Sequence, residues 1–510
     1  MRTDNVLKNG FWGIVYQITS IILGFLGRTV FIYFLSSEYL GISGLFTNIL
    51  SILSLSEMGF SSAIAFHLYG YLAREDKDSI VGVMNFYKQV YRVVAGCVLI
   101  IGLALIPFLQ YIIKETSFDI SYVRVVYTIY LINTVTSYLY SYKFTIAVAD
   151  QKNYILTNVS TIFQFVTTIA NILTLFVFRN YIIYLLVGMI LNLVGNYCKT
   201  SAVSRRYPYL NERTKVKPEI KKKIVSDVKK IFAGKLSTVI VTSTDNILIS
   251  ALINISTVGI YSNYSMIIGY VQSFLTQFTS ATQASIGNMI ASESKEHSYI
   301  VLKKLTTIIY FAVSFCSVSL FVLLNPFMNL WLGKEYLLDI PVVAWCVLSF
   351  YIQIIKAPVW YSLGGVGYFA QDRDISIIGA VSNLIISIVC AYKWGLSGIF
   401  MGTVFSQLIQ WVFKMTLFIK KYLEIETREY IVLSVKLLLQ TIFLCGLTYL
   451  ICDLCQFSNI YLDFVVKVIM CIAIPNIFNI TLYRKTDTFE YLIEVTKRMV
   501  RKFMRRGNGE

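Results

Sequence analysis

The chain has 510 residues, of which 56% are hydrophobic and only 14% are charged, and its formal net charge is +17. Ordinary soluble domains carry about 25% charged residues, so this composition excludes a soluble protein, whose surface needs far more polar side chains. The basic residues lie between apolar runs rather than in one patch, which argues against nucleic acid as a partner.

Apolar stretches long enough to cross a bilayer recur along the whole chain. One crossing takes about 20 apolar residues, and a crossing with its connection averages ~35, so a chain of this length holds about fourteen. The predicted spans are residues 11–35, 40–66, 90–113, 121–146, 155–177, 180–202, 231–254, 258–286, 305–328, 339–364, 375–395, 397–419, 430–452 and 460–483. These spans predict an all-α integral membrane protein. The first span is too long for the apolar segment of a signal peptide.

The loops between the spans differ in their content of Lys and Arg. With the N-terminus placed inside, the outside loops hold only Lys114, Arg124, Arg179, Lys334 and Lys393, whereas the inside segments hold most of the other basic residues. Lys and Arg concentrate in cytoplasmic loops. We therefore expect a multi-pass protein with both termini in the cytoplasm.

The longest connection contains the basic sequence KVKPEIKKKIVSDVKKIF (215–232) and divides the chain into two halves. The expected parts are an N-terminal lobe of six helices (1–204), a basic cytoplasmic linker (205–230), a C-terminal lobe of six helices (231–421), two further helices (422–483) and a basic tail (484–510). Apolar residues of the tail follow one helical stripe, which is typical of a helix lying on an anionic membrane surface. A solvated tail that only enforces the topology is the alternative.

The two predicted lobes share a charged residue and a glycine at similar spacing. Arg28 in the first span stands 13 residues before Gly41, and Asp245 in the seventh span stands 14 residues before Gly259. Many transporters build a central substrate site from duplicated helical halves. The spacing therefore favours two pseudo-symmetric lobes, unless it reflects membrane composition alone.

Three predicted helices carry polar side chains at steps of three or four residues. Hydrocarbon penalises such groups unless they face protein or water. Close helix packing explains a stripe of small residues, but an amide or a charge in every stripe favours a wet interior. The amide and charged members are Gln17 and Arg28 in the first span, Glu57 in the second, and Gln272 and Gln283 in the eighth.

Charges inside the spans are the best candidates for a substrate site, because a central arginine costs at least about 2.5–3.5 kcal/mol to insert. Arg28 and Asp245 lie ~7 and ~9 residues from the outer ends of their spans, which predicts similar depths in the membrane. Lys356 stands two residues before Pro358, and we expect it to line a cavity beside a helix break. Extension of Lys356 to the inner interface is the alternative.

Motifs for catalysis, for a cofactor or for a metal are not recognisable. The chain lacks a phosphate-binding Gly-x-x-x-x-Gly-Lys-Ser/Thr loop, and its two histidines, His67 and His297, have no metal-ligand spacing. The Cys-x-x-Cys at 452–455 has no second pair nearby. The Asp-x-Asp at 372–374 resembles a motif of sugar-nucleotide enzymes, but so short a pattern is common by chance. The chain is expected to be no enzyme.

Four segments in order resemble the polysaccharide branch of the multidrug/oligosaccharidyl-lipid/polysaccharide exporter superfamily. The segments are residues 23–64, 242–267, 277–294 and 325–336. The last reads NPFMNLWLGKEY and is similar to the family's Pro-Phe…Leu-Trp-Leu-Gly signature. The layout of six, six and two helices also fits, so the resemblance spans nearly the whole chain.

The resemblance implies a flippase of the bacterial plasma (inner) membrane, which carries oligosaccharide repeat units linked to undecaprenyl diphosphate for capsule, exopolysaccharide or O-antigen synthesis. It implies a V-shaped pair of lobes, alternating access and a cationic cavity, with Arg28 as the cavity arginine and Asp245 as the matching acidic position. The implied partners are the lipid-linked oligosaccharide, membrane lipids, and the polymerase and glycosyltransferases of the same pathway.

Two other functions stay open on the sequence. A cation-coupled drug antiporter of the same superfamily is expected to have a carboxylate in its first helix, where this chain has Arg28. A membrane glycosyltransferase or polymerase needs a large outer loop with acidic residues or histidines, and the outer loops here are short.

Overall fold

The computed structural model describes most of the chain. The described residues are 2–114, 116–212, 214–281, 283–366, 368–487 and 489–490. The side chains left out within these ranges are those of residues 2–4, 6, 7, 55–59, 62, 229–242, 281, 284, 285, 288, 291, 365, 369 and 370. The chain divides into two compact units, an N-terminal unit (Met1–Ser262) and a C-terminal unit (Asn263–Glu510).

Every regular element in the described residues is helical. A helix satisfies its own backbone hydrogen bonds, which a segment surrounded by hydrocarbon must do. The helices of the N-terminal unit are α1 (Arg2–Phe34), α2 (Ser37–Leu53), α3 (Leu55–Ala73), α4 (Lys77–Leu105), α5 (Leu109–Ile112), α6 (Ile120–Ser141), α7 (Phe144–Ala149), α8 (Tyr154–Phe178), α9 (Tyr181–Arg206) and α10 (Pro218–Leu252). Helix α11 (Ile255–Ala281) begins in this unit and ends in the next.

The other helices of the C-terminal unit follow α11 in the chain. They are α12 (Gln283–Ser292), α13 (Lys295–Trp331), α14 (Ile340–Ile355), α15 (Ala357–Val366), α16 (Phe369–Thr416), α17 (Arg428–Leu454) and α18 (Ile460–Tyr483). Helices α14, α17 and α18 all pack against α13. In α18, Lys467 binds Asp463 one turn earlier at 2.6 Å, which gives this intramembrane lysine a partner that the sequence analysis did not identify.

The expected all-helical membrane fold is confirmed. Within the described residues, each of the fourteen predicted spans lies mostly in helix, and several spans are broken into two helices. Residues at the ends of some spans, such as Leu35, Asn180 and Asn254, lie outside the helices. Within the described residues, nine helical stretches are long and apolar enough to cross a membrane. Many large apolar side chains remain exposed on the protein surface, as expected for helices that face lipid.

The predicted domain boundaries differ from the compact units and stay a prediction. Helix α10 begins at Pro218 and is continuous to Leu252, so it runs through the second half of the predicted linker. Within that stretch, Asp227 lies 3.2 Å from His67 of α3. The predicted amphipathic stripe of the tail lies mostly beyond residue 490, outside the described residues.

Two glycines allow α2 and the first turns of α11 to cross with their backbones in contact. A Cβ at Gly41 would lie 2.0 Å from the carbonyl oxygen of Ile255, and a Cβ at Gly259 would lie 1.9 Å from that of Ser37. Both distances are far below a van der Waals contact, so both positions require glycine. Beside this crossing, the hydroxyls of Ser37 and Ser256 form a 2.9 Å hydrogen bond.

Helix α16 folds back on itself at Gly395, whose φ of 55° and ψ of −132° interrupt the helix. A positive φ of this kind is costly for residues with a side chain. Its two arms are joined by hydrogen bonds from Asn383 to Thr403 and from Ser387 to the Ile399 carbonyl, both 3.0 Å long. The turn separates the predicted eleventh and twelfth spans, and it brings the two ends of α16 together.

Candidate functional site

Arg28 lies half-buried on α1, inside the N-terminal unit. Its Nη1 donates a 3.0 Å hydrogen bond to the hydroxyl of Ser262, which in turn donates to the Gly259 carbonyl at 2.7 Å. The arginine therefore connects α1 to the first turns of α11, next to the glycine crossing. A guanidinium between membrane helices is costly, which keeps Arg28 a candidate for the substrate site.

Tyrosine hydroxyls and rings surround this arginine. The hydroxyl of Tyr130 donates to Ser43 at 2.7 Å and lies 3.1 Å from the hydroxyl of Tyr181. The rings of Tyr181 and Tyr184 stack with centroids 6.1 Å apart. Arg28 is close enough to Tyr130 and Tyr184 to interact with them electrostatically. Arg28 of α1 therefore lies near tyrosine hydroxyls of α6 and α9, and Ser43 of α2 joins the same polar group.

Side-chain amides extend this polar interior along α8 and α9. Asn192 donates to Asn133 at 2.9 Å and accepts from Asn196 at 3.3 Å, while Gln164 donates to Ser20 of α1 at 3.0 Å. The buried amide oxygens of Gln164 and Asn171 have no hydrogen-bond partner among the described residues. A buried acceptor left unpaired costs about 1–3 kcal/mol, so each of these oxygens would be stabilised by a hydrogen-bond donor.

The sequence analysis missed this aromatic and amide lining. Hydropathy treats tyrosine as nearly neutral, and amides within one helix do not reveal which other helices they meet. A usable signal was present in α9, where Gly188, Asn192 and Asn196 repeat at steps of four residues. That spacing places both amides on one helix face, the face that meets Asn133 of α6.

The residues predicted for the site are distributed over both units. Gln17 lies half-buried on α1 and Asp245 lies half-buried on α10, in the unit that holds Arg28. Gln272 is half-buried on α11 and Gln283 is exposed on α12, in the C-terminal unit. The side chain of Glu57 is outside the described residues. The pairing of Arg28 with Asp245 and the roles of these residues stay predictions.

Lys356 lies at the break between α14 and α15, where the sequence places it beside Pro358. Only 9% of the residue is exposed, and its Nζ lies 4.8 Å from the centroid of the Trp360 ring. A lysine that extends to the interface would be more exposed than this. The burial argues against extension of Lys356 to the interface, and the lining of a cavity by Lys356 stays a prediction.

A second buried lysine nearby was assigned from the sequence to an inside segment. Lys414, at the end of α16, is 2% exposed. Its Nζ lies 2.6 Å from Asp372 and 4.2 Å from the centroid of Trp360. The missed signal is the run of Thr403, Gln407, Gln410 and Lys414 at helical spacing, all of them buried.

Comparison with known proteins identifies one matching family. The model of a family described as "Polysaccharide biosynthesis protein" matches residues 6–286, more than half of the chain. No curated protein sequence matches significantly.

Solved structures of low sequence identity share the fold. A lipid II flippase MurJ in an inward closed conformation is 14% identical and has a TM-score of 0.70, over 93% of this chain and 99% of that chain. An inward-facing MATE family multidrug transporter of the MOP superfamily is 14% identical with a TM-score of 0.60, over 77% and 92%. The Vibrio cholerae MATE transporter VcmN is 11% identical with a TM-score of 0.56, over 83% and 99%. The fold expected from the sequence is thereby confirmed.

Proposed function

The chain belongs to the polysaccharide biosynthesis protein family, and from this premise we propose that it flips oligosaccharide repeat units linked to undecaprenyl diphosphate. The head group would cross from the inner to the outer leaflet by alternating access while the polyprenyl tail stays in lipid. The proposed location is the bacterial inner membrane with both termini in the cytoplasm, and the proposed pathway is capsule, exopolysaccharide or O-antigen synthesis.

The position of Arg28 is the observation that carries this proposal. A polyprenyl diphosphate sugar has two negative phosphate charges, and a low-dielectric interior accepts them only if cations and hydrogen-bond donors replace water. Arg28 is a half-buried cation that donates a 3.0 Å hydrogen bond to the hydroxyl of Ser262. Its planar guanidinium can bind a phosphate through two parallel hydrogen bonds.

The lining around Arg28 supports a sugar as the rest of the ligand. Carbohydrates present hydroxyls that pair with amides and apolar faces that pack on aromatic rings. The amide oxygens of Gln164 and Asn171 are candidate acceptors for sugar hydroxyls. The half-buried ring of Tyr184 is the candidate apolar face, since Tyr181 is fully buried. Acceptors of this kind would hold sugar hydroxyls without adding charge.

The glycine crossing supports alternating access. In the predicted topology, the start of α2 and the start of α11 both lie on the outer side of the membrane. The backbones of these segments are in contact at Gly41 and Gly259, which leaves no room for a head group to pass. In the proposed cycle this contact would be closed in the described conformation and would have to open in the outward step.

The alternative functions have less support. A drug antiporter of this superfamily would be expected to carry a carboxylate in its first helix, at the level where Arg28 projects here. A membrane glycosyltransferase or polymerase would need a large outer loop with acidic residues or histidines, and the predicted outer loops are short. Functional partnership with the polymerase and glycosyltransferases of the same pathway follows only if the flippase proposal is correct.

Replacement of Arg28 tests the proposal. In a strain lacking its own flippase, Arg28→Gln should abolish nearly all transfer of lipid-linked oligosaccharide to the outer leaflet, while Arg28→Lys should retain part of it, because the ammonium keeps the charge. Arg92→Gln is the matched control, since Arg92 is exposed on α4. The proposal fails if Arg28→Gln flips normally but alters resistance to cationic dyes, which is the result expected for the antiporter.

A further inference from the structure

Two buried lysines share one tryptophan ring in the C-terminal unit. The Nζ atoms of Lys356 and Lys414 lie 4.8 and 4.2 Å from the centroid of the Trp360 ring. Together with Asp372, these residues form what is called here the lysine–tryptophan cluster. An aromatic ring attracts a cation, but it supplies no countercharge, so the ring holds both ammonium groups without neutralising either.

The positive charge of this cluster exceeds its negative charge. Asp372 lies 2.6 Å from Lys414, whereas no carboxylate in the described residues forms an ion pair with Lys356. The neighbouring carboxylate of Asp374 is 2.7 Å from Arg373 and is therefore already paired. Two ammonium groups face one carboxylate, and the two lysines are close enough to repel each other. A buried charge is retained at considerable cost unless it has a partner.

The exposure of the members differs in a way that suggests how a ligand would enter. The side chains of Lys356 and Lys414 are almost fully buried, whereas the side chain of Asp372 is 37% exposed. Asp372 stands at the start of α16 and Lys414 at its end, so they meet at the open end of the hairpin formed around Gly395. In the predicted topology this end is cytoplasmic, where a lipid-linked substrate is made.

We propose that the lysine–tryptophan cluster is an anion site for the diphosphate group of a polyprenyl diphosphate, and that the Asp372 carboxylate occupies the place of one phosphate until the ligand replaces it. Once Asp372 leaves Lys414, the site presents two positive charges, which matches the two charges of a diphosphate diester. The identity of the ligand rests on the proposed function. The existence of an anion site does not, because it follows from the charges of the cluster.

A purely structural role for the cluster makes the opposite prediction for Asp372. If Asp372 serves only to neutralise Lys414, its removal strands a buried charge, which destabilises the protein and creates no useful affinity. If Asp372 competes with a ligand for Lys414, its removal raises the affinity for that ligand. The variant Asp372→Asn therefore separates the two readings.

The test measures binding of farnesyl diphosphate, a short polyprenyl diphosphate, to the purified full chain in detergent by isothermal titration calorimetry. We expect Asp372→Asn to bind about tenfold more tightly than wild type, and Lys356→Gln and Lys414→Gln to bind about tenfold more weakly, as for the loss of one charge-assisted hydrogen bond. Lys393→Gln is the matched control. Lys393 lies 4.7 Å from the ring of Trp394 but is exposed, and its loss should leave binding unchanged.

If a Lys→Gln variant fails to fold, variants that preserve the charge keep the test valid. Lys414→Arg and Lys356→Arg should elute as monodisperse protein and retain most of the binding. The site is overturned if folded wild type does not bind farnesyl diphosphate, or if Asp372→Asn does not bind it more tightly. Binding of inorganic diphosphate as tight as that of farnesyl diphosphate would overturn the lipid part of the proposal. Equal binding of farnesol, which has no phosphate, would overturn the anion site.

The failure of this site and the failure of the proposed function can be told apart. If wild type does not flip oligosaccharide in the complemented strain but binds farnesyl diphosphate in a manner that depends on Lys356 and Lys414, the anion site stands and the flippase proposal fails. If Arg28→Gln stops flipping while the binding of farnesyl diphosphate does not depend on Lys356 or Lys414, the flippase proposal stands and the anion site is rejected.

Discussion

Gly259 of α11 packs directly against Gly41 of α2, and a Cβ on Gly259 would lie 3.1 Å from the backbone nitrogen of Gly41. The sequence places these glycines at corresponding positions of two similar segments, one after Arg28 and one after Asp245. The two segments of the predicted repeat therefore cross at their glycines, where neither segment has a side chain. A crossing of two backbones can close tightly and still separate without side chains that interlock.

The first prediction concerns the tightness of this crossing. Gly259→Ala should lower the Tm of the purified protein, because the new Cβ meets the Ser37 carbonyl and overpacking costs about 1–3 kcal/mol. Gly269→Ala is the control on the same helix, since a Cβ at Gly269 meets nothing within 4 Å. Intrinsic fluorescence during thermal unfolding measures both. Equal transition temperatures for the two variants would contradict the described crossing.

The second prediction uses the hydroxyl pair beside the glycines. Ser37 and Ser256 have their oxygens 2.9 Å apart, so the double variant Ser37→Cys with Ser256→Cys should form a disulfide on mild oxidation, in a background without the nine native cysteines. If the crossing opens during transport, the oxidised protein should stop flipping and reduction should restore it.

Each single cysteine variant provides the control for this prediction, because it meets the oxidant but cannot form the crosslink. Undiminished flipping by fully crosslinked protein would show that the crossing does not open during transport. The extent of crosslinking is measured by electrophoretic mobility after proteolytic cleavage between the two cysteines, because the disulfide keeps the two fragments joined.

Much of the fold follows from hydropathy alone. In lipid the length and apolarity of a segment determine whether it spans, and the predicted spans accordingly lie in helices. Local breaks were also accessible, since the break at Lys356 accompanies Pro358 and the division between 395 and 397 coincides with the turn at Gly395. Arg28 and Lys356 stood out because intramembrane charges are expensive.

The rest depends on contacts between residues distant in sequence. Lys414 reads as an ordinary basic residue near a helix end, and only the hairpin around Gly395 brings it to Asp372. In the sequence, Tyr130 and Tyr181 are ordinary aromatic residues of two separate spans. Only the packing of α6 against α9 brings their hydroxyls together. Periodicity gives the face of a helix, but it does not give the helix that the face meets.

The third prediction tests the topology. In a cysteine-free background, Lys334→Cys and Lys393→Cys should react with a membrane-impermeant thiol reagent in intact cells. Lys334 lies in a predicted outer loop, and Lys393 lies at the outer end of a predicted span. Lys222→Cys, on the exposed basic start of α10, should react only after lysis. Labelling is measured by the mass added to the purified protein. Reaction of Lys222→Cys in intact cells would overturn the predicted number of crossings between the N-terminus and α10.

The last prediction addresses the expected pairing of Arg28 with Asp245. Both lie in the N-terminal unit, on α1 and α10, and both are half-buried. If they form an ion pair, Arg28→Asp and Asp245→Arg should each reduce the amount of folded protein in the membrane, because breaking a buried pair typically costs about 3–5 kcal/mol. The double variant with the charges exchanged should then recover expression beyond either single variant, as in a double-mutant cycle.

Recovery of folding in this cycle need not bring recovery of flipping, and the difference is informative. Exchanging the charges keeps the pair but moves the cation from α1 to α10, away from the hydroxyl of Ser262 and the tyrosines that now surround Arg28. A folded but inactive double variant would therefore place the substrate contact at Arg28 itself. A double variant no better expressed than the single variants would rule out the pairing, and binding of substrate by Arg28 would then be judged from Arg28→Gln and Arg28→Lys alone.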